Sequence, residues 1–393
     1  MWGRILLLIN MKNNVLYRSE EPKTTVYDEA LQYIEEKYDL RYNTISMDYE
    51  IKLKDSKEWS ILNLNSLLIE LTQAEIKITP QKLEILIKSD FIKSYNPIKE
   101  YFEKLEDWDG NNHIKNLTNH ITTNDDESFH YHLEKWLSRT VRCALETNYI
   151  NKQCLVLFSK VQNLGKTTFL RFLIPEELKD YYTEVVSVDK DGQIAITKNF
   201  IINADELAVL SKSDLNSLKS LFSATNVKVR LPYARKAETQ RRICSFLGST
   251  NKCDFLTDET GSVRWIVFEV MKIDFAYQKT VNIDKFWSHV YYNTYKRKDF
   301  KEEFSPKDIE ENELRNERYF SMSAEQEVII KHFEKSTNLK DFLTASDIVF
   351  AMNHALGTQL NHMKIGKALT KLKYERIKHP KLQVYGYLLK RKI

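Results

Sequence analysis

Cysteine is scarce in this 393-residue chain, and the four present, Cys143, Cys154, Cys244 and Cys253, form no CxxC pair and have no histidine at zinc-ligand spacing. That excludes a zinc ribbon or a disulfide scaffold and points to buried, reduced thiols. Glycine (nine) and proline (seven) are also few, so nothing in the chain is fibrous or collagenous. Long apolar runs are missing too. Ile5-Leu6-Leu7-Leu8-Ile9 stops after five residues, too few for a signal-peptide core or a membrane span, and no other stretch approaches that length. Without an export signal, a reducing cytoplasm is the expected location and no membrane partner is expected. Because Met11 opens an ordinary polar stretch, residues 1–10 read as an upstream extension of the true frame. There is no internal repeat.

A large charge excess is lacking as well: the net charge is +4, too small to identify a partner. Its distribution is uneven. Residues 340–393 hold nine lysines and two arginines against Asp341, Asp347 and Glu375, a local net of +8 that leaves about −4 for the rest. A basic end on a mildly acidic protein suggests phosphate contacts there, or else a solvated lysine-rich face. With 42% hydrophobic and 29% charged residues the chain has the balance of a folded protein, and its length calls for two or three domains.

Residues 42–71 read as strand-like pieces, with alternation in Tyr49-Glu50-Ile51-Lys52-Leu53-Lys54. Thr79-Pro80 is a helix start, with Leu83, Ile85, Leu86 and Ile87 as its apolar face. Asn96-Pro97 starts another element, Trp108-Asp109-Gly110 marks a turn, and a helix is expected over residues 127–145. Between residues 155 and 270 the pattern changes to short apolar runs, which fit strands buried on both faces of a mostly parallel sheet. Acidic residues, among them Glu302, Glu303, Asp308, Glu310, Glu311 and Glu313, make residues 301–327 look like a solvated helical linker. The expected organisation is an N-terminal region over 1–105, a helical lead-in over 106–150, an α/β core over 151–300, that linker, and a last domain over 328–393.

The sharpest motif is Lys160-Val161-Gln162-Asn163-Leu164-Gly165-Lys166-Thr167, between an apolar strand and the helical Thr168-Phe169-Leu170-Arg171. A phosphate-binding loop needs this context, because backbone N–H groups and the positive end of a helix converge on an anion. Residues 162–168 would line a nucleotide, Lys166 would reach its β- and γ-phosphates, and the Thr167 hydroxyl would hold magnesium. Lys160 replaces the first glycine of the usual pattern, so the first turn must be made differently; Asn163 tolerates left-handed backbone and can help. Asp205-Glu206 ends the buried run Phe200-Ile201-Ile202, 39 residues beyond Lys166. Asp205 would join the magnesium shell and Glu206 would orient or deprotonate a water. Asn251, closing Leu247-Gly248-Ser249-Thr250-Asn251, is a candidate sensor of the terminal phosphate or an ordinary turn residue. Arg264 is either a finger acting across a subunit boundary or a surface arginine paired with a carboxylate.

Lys228, Arg230, Tyr233, Arg235 and Lys236, followed by Arg241-Arg242, suit a loop that grips a phosphate backbone, or equally a solvated edge. Near the C-terminus a helix from Thr344, a second from Leu360-Asn361 and a strand pair over residues 376–392 resemble a winged-helix domain. Lys364, Lys367 and Lys371 share one face of its second helix and would touch DNA, although such domains also dock proteins.

Taken together, Asn96-Pro97-Ile98, Trp108-Asp109-Gly110, Gln162 with Gly165-Lys166-Thr167, Asp205-Glu206, Pro232-Tyr233 with Arg235, Thr250-Asn251, Asp258-Glu259-Thr260-Gly261 and Arg264 resemble the virulence-associated E family over residues 96–270. These are mobile-element proteins related to superfamily 3 helicases within the AAA+ group. The resemblance implies an α/β P-loop NTPase core; the residues themselves put before it a mainly α region, α+β or helical over 1–105, and after it the winged-helix-like domain. It further implies ATP and Mg2+ as ligands, a homo-oligomeric and commonly hexameric ring with ATP sites between subunits, and single-stranded or forked DNA tracked by central hairpins. In that scheme Lys166, Thr167, Asp205, Glu206 and Asn251 serve the site, and Arg264 matches the finger. Lys160 departs from the family, where glycine is usual, as does Val263, where a second arginine often precedes the aromatic. Members also carry primase domains or work beside primases; no primase motif stands in the N-terminal region here. The expectation is a replication helicase of a mobile element, with an ATP-dependent assembly switch or a DNA-binding initiator that does not unwind as the alternative.

Overall fold

A computed structural model describes residues 24–207, 210–229, 237–256, 263–320, 322–356 and 360–392. The chain divides into two units, Met1–Glu100 and Tyr101–Ile393.

In the first unit α1 (Val26–Lys37) opens on a capping box, in which the Thr25 hydroxyl accepts from Asp28 N and the Asp28 carboxylate accepts from Thr25 N. Strands β1 (Tyr38–Asn43) and β2 (Tyr49–Leu53) pair antiparallel with Tyr38 opposite Leu53. β3 (Ser60–Ile61) adds to one edge and β4 (Lys93–Tyr95) runs parallel to β1 at the other. Helices α2 (Leu64–Gln73) and α3 (Pro80–Ile87) bury Leu67, Leu71, Leu83, Leu86 and Ile87 with Ala30 and Ile34 of α1. Thr79 caps α3 from Lys82 N and Pro80 stands in its first turn. One expectation is corrected here. The strand-like stretch 42–71 ends in a helix, because Asn63 caps it by accepting from the amides of Asn65 and Ser66 and because Leu67 and Leu71 stack at helical spacing on the core. Beside its helices, the alternating stretches of the region pair into a four-stranded sheet.

Helix α4 (Pro97–Lys104) leads into the second unit, followed by α5 (His113–Thr118), β5 (Ile121–Thr123) and the long α6 (Asp126–Leu145). The Trp108-Asp109-Gly110 turn is pinned by its neighbours: the Trp108 ring stacks on His289 at 4.7 Å, and Asp109 faces His113 and Lys285. Gly110 is needed there at φ +85°. From α6, Trp136 is fully buried and donates its indole N–H to Gln153 O at 3.1 Å, so its removal costs about 3–5 kcal/mol.

The central sheet is built by β6 (Cys154–Phe158), β7 (Tyr182–Thr183), β8 (Ile201–Ala204), β11 (Ser245–Thr250) and β12 (Trp265–Ile273), all parallel, with β5 antiparallel at the β12 edge. Its order is β5-β12-β6-β11-β8-β7. The interleaved helices are α7 (Lys166–Phe172), α8 (Lys190–Lys198) and α9 (Lys212–Ser223), and a two-stranded ribbon of β9 (Asn226–Val229) and β10 (Glu238–Arg241) follows α9. Every residue of β6 is buried, which is why the sequence reads as an unbroken apolar run. Cys154, Val156 and Phe158 face one cluster with Leu218 and Phe222 of α9. α10 (Tyr277–Thr280) and α11 (Ile283–Tyr295) follow β12, and Trp287 of α11 donates to Leu173 O at 2.8 Å.

The acidic stretch is not a solvated linker. Its helix α12 (Pro306–Asn316) buries Asp308, Asn312 and Asn316; Lys135 of α6 pairs with Asp308 at 2.9 Å, and both asparagine amides donate to Trp265 O at 2.8 Å. Asp308 serves here as a fixed partner of the core, while Glu310, Glu311 and Glu313 stay exposed. Burial by itself would raise Asp308, but the Lys135 ammonium and the Ser305 amide and hydroxyl outweigh it and bring the carboxyl down to about 2.

The last segment comprises α13 (Ala324–His332), β13 (Phe333–Lys335), β14 (Phe342–Leu343), α14 (Ala345–Leu356), α15 (His362–Lys371), β15 (Ile377–Lys378) and β16 (Tyr385–Arg391). β16 pairs antiparallel with β13, β14 and β15, and Ile329, Ile348, Ile365, Leu369 and Leu389 form the core beneath. Among the described residues no helix is long and apolar enough to cross a membrane.

Candidate functional site

In an open parallel sheet, ligands collect at the carboxyl ends of strands where neighbouring connections leave in opposite directions. Here that point lies between β6 and β11: the chain leaves β6 toward β7 and β8 on one side, and leaves β11 for β12 on the other. The residues at these two strand ends meet. The Lys166 ammonium donates to Asn251 Oδ1 at 2.5 Å, the Thr167 hydroxyl lies 3.1 and 3.2 Å from the two Asp205 oxygens, and the Ser249 hydroxyl donates to Asp205 Oδ1.

Local backbone explains the convergence. Ser159 N donates to Thr250 O, tying β6 to β11 where both strands end, and the Ser159 hydroxyl accepts from Val161 N at 3.2 Å. Lys160 is not among the left-handed residues, so its position does not call for glycine. The left-handed positions of the loop are Asn163 (φ 56°), as its residue type allows, and Gly165 (φ 93°). Lys166 then begins α7, 6% exposed, so burial lowers its pKa while Asp205 opposes the shift. Gln162, Asn163 and Thr168 are exposed around it, with Leu164 and Thr167 half-buried. Past β8, Asp205 N donates to Asn203 O at 2.9 Å and the chain turns sharply, leaving Glu206 exposed at φ 51°. A left-handed non-glycine residue costs on the order of 1 kcal/mol or more, and such strain gathers at functional sites.

Magnesium can be held by one carboxylate and a hydroxyl, with water and phosphate oxygens filling the other positions. Asp205 and Thr167 supply that donor set, and their side chains already share one spot. Among the described residues there is no cluster of three or more His, Cys, Asp or Glu suited to an all-protein cage.

Other sequence candidates lie elsewhere. Arg264 precedes β12, whose first residue pairs with Cys154 at the start of β6. Five residues of strand therefore separate it from the loop, ~17 Å at roughly 3.3 Å per residue, and its guanidinium donates to Ser223 Oγ at 3.1 Å. Lys228 is exposed on β9; Arg230, Tyr233, Arg235 and Lys236 fall outside the described residues, as do the Asp258-Glu259-Thr260-Gly261 positions. Arg241 and Arg242 are corrected: neither belongs to a phosphate-gripping loop or a solvated edge. Arg242 is fully buried and donates to the carbonyls of Cys244, Leu221, Phe222 and Asn151, while Arg241 donates to those of Cys143, Ala144 and Glu146. Arg241 ties the end of β10 to α6, and Arg242 ties the approach to β11 to α9. Lys364, Lys367 and Lys371 are all exposed on α15.

Sequence reasoning gave no role to Ser249, although alternation along β11 puts it on the same side as Asn251. Phe275 was missed outright. It follows β12 in a stretch with no motif, yet the tip of its ring reaches Gly165.

Comparison with known proteins bears on the fold and on the family. Among solved structures, the apo NrS-1 C-terminal region (305–718) aligns with a TM-score of 0.53 at 13% identity, covering 93% of this chain and 98% of that one. The A-form apo structure of the same region gives 0.52 at 14%, covering 93% and 99%. At such identity the likeness is one of fold, a mixed α/β architecture. Comparison with curated proteins yields no match. The model of the virulence-associated protein E-like domain matches residues 102–321, more than half of the sequence and all of the strands that carry the site, and the chain belongs to that family.

Proposed function

We propose that this chain is a magnesium-dependent ATPase with a P-loop core of the AAA+, superfamily 3 type, working as a replication helicase of a mobile genetic element. The observation that carries the reading is the meeting of Lys166 with Asn251, and of Thr167 with Asp205 and Ser249, at the switch point of the sheet. Among the described residues the buried Lys166 ammonium bonds to a side-chain amide alone, and it is available to an incoming phosphate because the amide can turn away.

In this reading Lys166 and the main-chain amides of residues 162–168 hold the triphosphate. Thr167 and Asp205 hold Mg2+, which supplies charge neutralisation at the phosphates when bound. Asn251, released from Lys166, contacts the terminal phosphate or the attacking water. Glu206, exposed and fixed by its left-handed turn, orients that water and takes its proton. Arg264, too far to serve its own pocket, reaches a neighbouring subunit's pocket in a ring, commonly a hexamer. DNA contacts fall to Lys228 with Arg230, Tyr233, Arg235 and Lys236, and to Lys364, Lys367 and Lys371 of a winged-helix-like C-terminal segment. A primase and other replication proteins are the partners this implies, with action in the cytoplasm.

The test is ATP hydrolysis with and without single-stranded DNA, followed by displacement of a strand from a fork. Turnover that DNA stimulates, and that Lys166→Ala and Glu206→Gln both abolish while only Lys166→Ala greatly weakens nucleotide binding, is the expected result. Equal loss of binding in the two variants contradicts the assigned roles, and stimulated hydrolysis without displacement favours an assembly switch.

A further inference from the structure

Phe275 stands just past β12 and is about half exposed (47%), yet its position is tightly set. Asp274 N donates to His120 O at 2.7 Å, and the Asp274 carboxylate accepts from Ala276 N at 3.0 Å and meets His120 Nδ1 at 3.2 Å. Tyr277, fully buried, sits edge-on to Phe169 and Phe172 of α7 at 5.3 and 4.8 Å. The Phe275 ring runs nearly parallel to Tyr277, 6.3 Å away with an angle of 29°. The turn is thus anchored to the same helix that begins with Lys166. The tip of its exposed ring approaches Gly165 so closely that a Cβ there would lie 2.5 Å from Cζ and 2.9 Å from Cε1.

An isolated exposed phenylalanine needs no explanation. One held by a pinned turn against the left-handed glycine of the candidate phosphate loop does. We infer that Phe275 is the stacking platform for the nucleobase of the nucleotide held at that loop, an assignment that rests on the ATPase reading above. A pinned ring loses little freedom on binding, and every base has a π face, so stacking gives affinity with little discrimination among bases. The site accordingly takes purine nucleoside triphosphates as a class, ATP and GTP to similar degrees, with pyrimidine nucleotides weaker for their smaller stacking area.

The experiment compares binding of Mg·ATP and Mg·tripolyphosphate, which has the phosphates and no base, by calorimetry on the full chain and on Phe275→Ala and Phe275→Trp. The expected result is a loss of roughly tenfold in ATP affinity in Phe275→Ala, tripolyphosphate affinity unchanged, and ATP affinity kept in Phe275→Trp. Unchanged tripolyphosphate binding also shows that the variant is folded. If Phe275→Ala weakens both ligands equally, or weakens neither, the stacking assignment is overturned while the ATPase reading stands. If the wild-type chain binds neither ligand, both fall.

Discussion

Arg242 and Lys166 are both basic residues beside buried strands of one sheet, and both are almost wholly removed from water, yet their partners differ in kind. At the amino end Arg242 donates to main-chain carbonyls of four residues, oxygens whose positions the surrounding helices and strands fix. At the carboxyl end Lys166 donates to the side chain of Asn251, and Asp205 is held by two hydroxyls. Carbonyls cannot leave; an amide and two hydroxyls can turn toward a ligand. Partner type is therefore what separates a charge that holds the fold from the one that the proposed function assigns to phosphate, although the two look alike in the sequence.

Several substitutions sharpen or break this contrast. After the outright loss of turnover expected of Lys166→Ala and Glu206→Gln, the largest effect is expected at Arg264. Arg264→Ala should lower hydrolysis by about 10³-fold or more with nucleotide binding intact, and mixing it with Glu206→Gln subunits should restore part of the activity. In a mixed ring some pockets pair an intact Glu206 with an intact Arg264. No recovery on mixing, with both variants assembled, contradicts a role across the subunit boundary.

Next comes stability at the two ends. Arg242→Met keeps the stem but leaves buried carbonyls without a donor, a cost of about 3 kcal/mol or more in urea unfolding. Lys166→Met, by the same measurement, should stay within about 1 kcal/mol of the wild type, since its amide partner is free to find water. Equal destabilisation of the two would erase the distinction.

The smallest effect is expected at Asp308, the acidic residue that proved to be core. Its carboxyl is held near 2, below the ordinary 3.8, so above pH 3.8 it is ionised in both folded and unfolded chains and its pairing with Lys135 contributes in full. As pH falls through 3.8 toward 2 the unfolded chain takes up the proton first and the contribution disappears. Urea midpoints of the wild type and Asp308→Asn should differ at pH 5 and converge toward pH 2.5; a constant gap contradicts the pairing.

Legibility in the sequence followed the range of the interactions. The parallel sheet was readable because strands such as β6 are buried on both faces and leave unbroken apolar runs. The start of α3 was readable because Thr79 and Pro80 act within one turn. The residues 64–71 were misread because their helix is decided by a cap at Asn63 and by packing on α1, not by their own alternation. The acidic α12 and the pair Arg241-Arg242 were misread because charge counts say nothing about partners more than 90 residues away, such as Asn151 for Arg242 and Lys135 for Asp308. Within the site, Lys166, Thr167, Asp205 and Asn251 could be named because each closes a strand or opens a helix. Ser249 needed the strand's alternation, and Phe275 needed coordinates, since its place at Gly165 depends on a turn pinned by His120 and Tyr277.

The central claim is that the carboxyl end of this sheet holds a nucleotide through Lys166, and equilibrium titration with a nonhydrolysable Mg·ATP analogue tests it most directly. The account predicts one saturable site per chain that Lys166→Ala abolishes and Arg264→Ala leaves unchanged. Failure of the wild-type chain to bind, or binding of equal strength in Lys166→Ala, would contradict it.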